Sequence, residues 1–424
     1  MIRKSEMKET IALLLAGGIG SRLNVLVWQR AKPAIPYGGS YRIIDFTMAN
    51  IKNSRIRNVG IIAQYKFPSL VNYLRNGEPW GFLDNHHYFR MLLPNNEKNN
   101  SDKYNGTADA VAKNLDFVKQ FNAQEILIVA GDHIYNMDYR AMIAFHRGKK
   151  ANLTIGMTKV PWADVGNYGI AGIDGEQKVI NWQEKPLAAQ NNLASMGIYV
   201  FNARFLEEIL SRRDGNDFGY NIIHKAMRKN RVYAYVFDGY WADVGTVHAY
   251  WNSNLEYLKT ELRLNLFNQA RDKASTKEGM HHDQKSPFIS KQANIKNSFI
   301  SNGSIVEGTV ARSIIYPGVF IKKNAIVIDS IVMHNSVIEK DAFLFQVIAD
   351  QNTYVDQRAK IGIGENTNAN KKYPKHVFTG LCLIGEQAYI PVNTKIYRNT
   401  IVEPRAKGES FERQKLAVGS YVEH

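Results

Sequence analysis

The stretch LLLAGGIGSRL, residues 13–23, joins an apolar run, IALLLA at residues 11–16, to Gly17-Gly18 and a polar turn. A continuous apolar run without alternation is the pattern of a strand buried on both faces, as in a parallel sheet covered by helices. Similar runs recur at NVGIIAQ (58–64), EILIVAG (125–131) and LTIGMT (153–158). Between them, TADAVAKNLDFVKQF (107–121) places Ala108, Val111, Leu115 and Val118 at three-to-four-residue spacing, which predicts a helix with one apolar face. Strand and helix therefore alternate through the first 160 residues or so, the pattern of a doubly wound, Rossmann-like α/β domain.

Beyond that stretch, YGIAGID, KVINWQEKP, MGIYVF and RVYAYVFDGYW read as added strands of the same domain, followed by a helical segment over 246–262. Residues 268–287, NQARDKASTKEGMHHDQKSP, are polar and aperiodic and read as a linker, with His281, His282 and Asp283 solvated in it. The last third is organised differently. Apolar or small residues fall on every sixth position at Val319, Ala325, Ile331, Val337, Phe343, Ala349, Val355 and Ile361. That period predicts a left-handed parallel β-helix of hexapeptide repeats, whose short strands bury their inward residues only by stacking. Ile289 and Ile295 point to a first coil out of phase, and the period breaks after about residue 364. The expected organisation is a catalytic domain over 1–267, a linker over 268–287 and a β-helix over 288–424.

Hydrophobic residues make up 45% of the 424, so burial is not limiting. No run approaches the ~18 to 20 apolar residues of a membrane span, and no secretory cleavage pattern follows IALLLA. A cytoplasmic protein without membrane association is expected. The single cysteine, Cys382, excludes an internal disulfide and a thiolate zinc site, and reads as a packed, inert thiol. With 54 Lys+Arg against 39 Asp+Glu the formal charge is +15. The basic residues are scattered rather than gathered into a nucleic-acid module, so the charge fits anionic metabolites as ligands better than nucleic acid.

The glycine-rich turn after the first strand lets backbone N–H groups approach phosphate oxygens. It matches neither the P-loop spacing nor G-x-G-x-x-G, which disfavours a P-loop ATPase and a dinucleotide-dependent dehydrogenase. Its continuation, QRAKPAIPYGGSYRIIDF (29–46), adds Lys32 to Arg22 as cations for a phosphate chain. GGIGSRL, RAKPA, YGGSYRIIDF and QYK, with YNGTADAV (104–111), AGDHIYNMDY (130–139), EKP (184–186), SMGIYVF (195–201), DFGYNII (217–223) and YWADVGT (240–246), resemble the ADP-glucose pyrophosphorylases in order and spacing. These are the bacterial glucose-1-phosphate adenylyltransferases, and the likeness runs on into the β-helix.

That resemblance implies transfer of an adenylyl group from ATP to glucose 1-phosphate, supplying a glucosyl donor for glycogen or α-glucan synthesis. Leu15, Ala16, Gly17, Gly18, Gly20, Ser21 and Arg22 fall on the nucleotide loop, with Gln64, Gly106 and Thr107 near the adenine. Tyr104, Gly169, Glu184, Lys185, Ser195 and Asp217 match the sugar-phosphate side, and Pro186 predicts an extended backbone at Lys185. Asp132, at the end of the run 125–131, and Asp243 match the metal ligands, the cofactor being Mg2+. Either aspartate alone also reads as a cap or turn residue, and Glu184 with Lys185 as a surface ion pair. Arg22, Lys32, Asp132, Lys185 and Asp243 form the expected catalytic set. The resemblance further implies a homotetramer, or a heterotetramer with a related subunit, and anionic metabolite effectors. Ile19, Gln29, Asn105 and Tyr220 stand where the family is commonly polar or basic, which bears on regulation and keeps a weakly active regulatory subunit as the alternative. Use of UTP, dTTP or GTP is a second alternative.

Overall fold

The apolar run at the N-terminus forms a central strand of a mixed sheet. The computed structural model describes residues 10–82, 87–94, 103–259, 262, 285–412 and 416–424. They divide into two units, one of residues 10–18 and 44–241, the other of residues 19–43 and those from 242 onward. The linker expected over 268–287 lies, up to residue 284, outside the described residues.

In the first unit the strands are β1 (Thr10–Leu15), β2 (Asn58–Ile62), β3 (Tyr88–Leu92), β4 (Glu125–Ala130), β5 (Leu153–Lys159), β6 (Gly169–Ile173), β7 (Val179–Glu184), β8 (Leu193–Asn202) and β9 (Val232–Val236). Their order is β7-β6-β8-β4-β1-β2-β3, with β5 also on β8 and β9 on β5. Strand β1 runs parallel to β2 and β4, as its two-sided burial requires. The run at 153–158 is a strand, but it lies antiparallel to β8 instead of extending the parallel set. Ile11, Leu13, Ile126, Ile128, Phe201 and Phe218 meet in the core. The helix expected over 107–121 is two short helices, Thr107–Ala112 and Leu115–Lys119. Asn114 interrupts them at φ −113°, with its side-chain amide donating to Ala110 O at 2.8 Å, the local competition that makes Asn a poor helix-interior residue.

In the second unit, three parallel sheets stack the coils of the left-handed β-helix. Val310 pairs with Val327, Val327 with Leu344 and Leu344 with Ile361, so a coil here takes 17 residues. One earlier coil is shorter, Ile295 pairing with Val310, which accounts for the out-of-phase start. A 17-residue coil cannot hold a strict period of six. The phase slips, so Val337 and Phe343 are only half-buried while their neighbours Ile338 and Leu344 are fully buried. Stacked corners carry the turns: Asn324, Asp341 and Arg358 recur at φ between 57° and 61°, the left-handed region that Asn and Asp tolerate best. After an excursion over 364–381 the coils resume, Val347 pairing with Cys382. Cys382 is fully buried, its thiol pushed up to about 11 by burial, in keeping with an inert role.

The same unit contains the helix Val247–Glu256, whose Thr246 cap accepts from Ala249 N at 3.1 Å, and the segment 19–43. Tyr37 donates to Ser253 O at 2.9 Å, Trp251 Nε1 to Asp329 O at 2.7 Å and Ser301 Oγ to Gly39 O at 2.8 Å. Gly39, at φ +84°, sits so close to the first coils that an added Cβ would lie 2.4 Å from the Phe299 ring.

Candidate functional site

In the first unit, β1 ends at Leu15 and the chain passes through Ala16 and Gly17 to Gly18. Ala16 N donates to Ile62 O at 2.8 Å, which fixes the start of the loop on the neighbouring strand. A Cβ on Gly17 would lie 3.9 Å from Gln64 Cβ, so loop and glutamine are side by side. Gln64 Oε1 accepts from Tyr104 N at 2.7 Å, while its Nε2 is buried with no partner among the described residues. A buried unpaired amide costs roughly 1–3 kcal/mol, so its donors suit an acceptor brought by a ligand. Tyr104 OH accepts from Asn114 Nδ2 at 3.1 Å.

From Tyr104 the chain reaches Gly106, where an added Cβ would lie 2.4 Å from Asn216 O. Thr107 donates to Asp217 Oδ2 at 3.1 Å and accepts from Phe218 N at 3.1 Å. Asp217 also caps the π-turn Phe218–Ile222, accepting from Tyr220 N at 3.1 Å. Single π-turns of this kind recur at functional sites.

Glu184, at the end of β7, lies in a cradle of glycines. A Cβ on Gly219 would come within 2.3 Å of its carboxylate, and one on Gly169 within 2.6 Å. Burial pushes the Glu184 carboxyl up to about 6, with Lys185 opposing the rise and Asp217 adding to it. Lys185 corrects the extended backbone expected before Pro186: its φ is +46°. The cause is that Lys185 N still donates to Tyr168 O at 3.0 Å, so the chain leaves the β7–β6 ladder by a sharp left-handed step. Such a step at a bulky residue costs on the order of 1–3 kcal/mol and is typical of sites where a side chain must be aimed. Lys185 Nζ lies over the Tyr220 ring, 5.9 Å from its centroid. Ser195 is nearly buried on β8 beside a bulge at Gly197, and its hydroxyl accepts from Gly197 N at 3.3 Å. Asp132 follows β4 with its side chain 30% exposed, and His133 Nε2 lies 3.5 Å from its Oδ1.

The second unit places Gly20, Ser21, Arg22, Lys32 and Asp243. Lys32 Nζ, almost fully buried, donates to Asp243 Oδ1 at 3.2 Å. Gly20 adopts φ +68° with its open side against Lys32, and an added Cβ would lie 3.1 Å from Lys32 Cβ. Around Gly245 the Arg22 guanidinium and the Asp243 carboxylate converge, each 2.9 Å from the place a Cβ would take. Ser21 and Arg22 are exposed, as is Ile19 at 57%. Among the described residues, no three His, Cys, Asp or Glu side chains gather as a metal cage. Asp132 in the first unit and Asp243 in the second each offer hard carboxylate oxygens, the donor type that Mg2+ takes.

Two features escaped sequence reasoning. Trp241, whose Nε1 is buried without a partner among the described residues, packs edge-on to His133 and Tyr168 at 5.1 and 5.3 Å. Its place in YWADVGT was the available signal. Arg30, in RAKPA, is buried against Asp350 and Glu386, a contact that no local pattern announces.

A strand-anchored glycine loop, a sheet edge furnished with Gln64, Asp217, Glu184 and Lys185, and a C-terminal β-helix together define a nucleotidyltransferase joined to a hexapeptide domain. A family profile described as "Nucleotidyl transferase" matches residues 11–260, and one described as "GlmU-like, C-terminal hexapeptide" matches 282–384. A glucose-1-phosphate adenylyltransferase of Acetivibrio thermocellus is 38% identical over 410 residues, 95% of each chain. One of Fervidobacterium nodosum is 39% identical over 93% of this chain and 95% of its own. A third, of Pseudothermotoga lettingae, is 38% identical over 99% of this chain and all of its own. The chain belongs to the glucose-1-phosphate adenylyltransferase family of nucleotidyl transferases. Among the described residues no helix is long and apolar enough to cross a membrane.

Proposed function

We propose that the chain is a catalytic glucose-1-phosphate adenylyltransferase, converting ATP and α-D-glucose 1-phosphate to ADP-glucose and pyrophosphate and so supplying a glucosyl donor for α-glucan synthesis in the cytoplasm. One observation carries the reading. The segment 104–107 ties Gln64, beside the glycine loop, to Asp217, beside the half-buried Glu184 and Lys185, so fittings for a base and for a sugar phosphate share one wall.

In this reading the Lys185 ammonium holds the phosphate of the sugar, and Glu184 accepts hydrogen bonds from sugar hydroxyls. Gln64 Nε2 donates to the adenine edge, which favours ATP over UTP, dTTP or GTP. Backbone N–H groups from Leu15 to Ser21 approach the triphosphate. A phosphate oxygen of the sugar attacks the α-phosphorus in line, with no covalent enzyme intermediate, and pyrophosphate leaves. Both reactants are anionic, so holding and neutralising them is the main task. Arg22 and Lys32 neutralise the leaving pyrophosphate. Asp132 and Asp243 would hold Mg2+, which supplies further charge neutralisation when bound. We also propose a tetramer, homomeric or with a related subunit, supported by an outward ladder on the coils in which Phe288 and Ile305 pair and stand 59% and 36% exposed. Anionic metabolites would act as effectors on the basic surface.

The decisive experiment is release of pyrophosphate by the purified chain alone with ATP, glucose 1-phosphate and Mg2+. A folded chain that releases none across a panel of anionic effectors is a regulatory subunit instead. Competition by the other nucleoside triphosphates decides the base.

A further inference from the structure

Arg30 carries a full charge yet is 7% exposed, and two carboxylates of the coils meet it. Its Nη1 and Nη2 donate to Asp350 Oδ1 and Oδ2 at 2.9 and 3.1 Å, the two-pronged fit of guanidinium to carboxylate, across 320 residues of chain. Nη2 also donates to Glu386 Oε2 at 3.2 Å. The carboxylates are held in turn by Gln351, whose backbone N donates to Asp350 Oδ1 and whose side-chain Nε2 donates to Glu386 Oε1, both at 2.7 Å. Asp350 N donates to Ile384 O at 2.9 Å, and Asp350 O accepts from Thr353 Oγ1 at 2.6 Å. The clamp therefore has no slack on the β-helix side.

On its other side lies a short, stiff piece of chain. Ala31 is extended at φ −67°, and Lys32–Ala34 form one tight turn with Pro33 inside it, closed by Ala34 N on Ala31 O at 2.9 Å and Ile35 N on Lys32 O at 3.1 Å. Two residues from Arg30, Lys32 donates to Asp243. All of these residues belong to the second unit.

We propose that Asp350 and Glu386 are positioning residues for the reaction, acting through Arg30 to hold Lys32 in place against Asp243. The proposal rests on Lys32 and Asp243 serving the phosphates. A buried ion triad is a poor device for stability alone, because well-packed apolar residues of similar volume do as well or better. Its strength is direction: a planar fork held by two fixed carboxylates leaves its main chain one placement.

The test uses the full chain. Asp350→Asn and the milder Glu386→Gln are assayed with Arg30→Met/Asp350→Leu/Glu386→Met, which removes the buried charges together and so preserves the fold. Each is expected to lower kcat by about tenfold or more and to weaken MgATP binding severalfold by calorimetry. KM for glucose 1-phosphate should stay within about twofold, since Glu184 and Lys185 lie in the other unit. Melting of the triple variant should match or exceed that of the parent. Parental kcat and MgATP affinity in Glu386→Gln and in the triple variant, whatever their melting temperatures, overturn the proposal. A parent chain that binds MgATP but does not turn over defeats the assigned reaction only, and the calorimetric arm still decides the clamp.

Discussion

Gly219→Ala adds one methyl group, and its effect can be worked from the Glu184 cradle. The new Cβ would lie 2.3 Å from Glu184 Oε2, 2.6 Å from Cδ and 3.1 Å from Oε1. Ordinary contact begins near 3.4 Å, so the carboxylate must retreat by about 1 Å. Gly169 flanks the same Oε2, a Cβ there lying 2.6 Å from it, and Trp182 packs beside it, which narrows the room for that retreat. Gly219 is not a left-handed residue, so alanine brings no backbone strain of its own. Overpacking of this size costs about 1–3 kcal/mol of stability, and a 1 Å misplacement of a substrate-positioning group costs up to about 10²-fold in rate. We expect kcat/KM for glucose 1-phosphate to fall about 10- to 100-fold, with KM for ATP changed by less than about twofold. The assay is pyrophosphate release under steady state, with melting followed in parallel. If kcat/KM for glucose 1-phosphate holds within about twofold while the chain is folded, Glu184 is not in the sugar site.

Asp132→Asn should remove most turnover, at least about a hundredfold, with an unchanged melting temperature; near-parental activity removes Asp132 from the phosphate chemistry. Lys185→Ala should raise KM for glucose 1-phosphate about tenfold or more and leave KM for ATP alone, and an unchanged sugar KM excludes the lysine from that site. Because the Glu184 carboxyl titrates at about 6, its ionised, accepting form is lost as pH falls through that value; kcat/KM for glucose 1-phosphate should drop there in the parent and lose that step in Glu184→Gln. His146 is held neutral: burial, then Arg147, lowers it to about 4, and its ring bonds Thr154 Oγ1 at 2.8 Å. The unfolded chain takes up that proton near pH 6.5 and the folded chain only near 4, so stability is present above 6.5 and lost as pH falls. Between pH 7 and 5 the loss from this group is about 2 kcal/mol, measurable by denaturant unfolding and absent in His146→Gln; equal slopes in the two proteins would refute it.

Much of the molecule was legible in local sequence. Apolar runs at 11–16 and 125–131 could only be strands buried on both faces, because an unbroken run leaves no polar face for water. The six-residue grammar announced coils, since short strands with polar corners have no other way to bury their inward residues. What misled was phase and local propensity. A coil of 17 residues moves the inward position by one, so Ile338 and Leu344 are buried where Val337 and Phe343 were expected. Proline after Lys185 argued for extended backbone, and a ladder hydrogen bond to Tyr168 overrode it.

By itself the sequence determined the classes of structure, the order of the motifs and the identity of the side chains they carry. Tertiary structure alone decided which of them meet. Thr107 turns to Asp217, Glu184 is pressed between Gly169 and Gly219, and Arg30 finds Asp350 and Glu386 across more than three hundred residues. The physical reason is that burial and hydrogen-bond partners are set by what the fold brings alongside, and a periodic pattern describes only a residue's own neighbours along the chain.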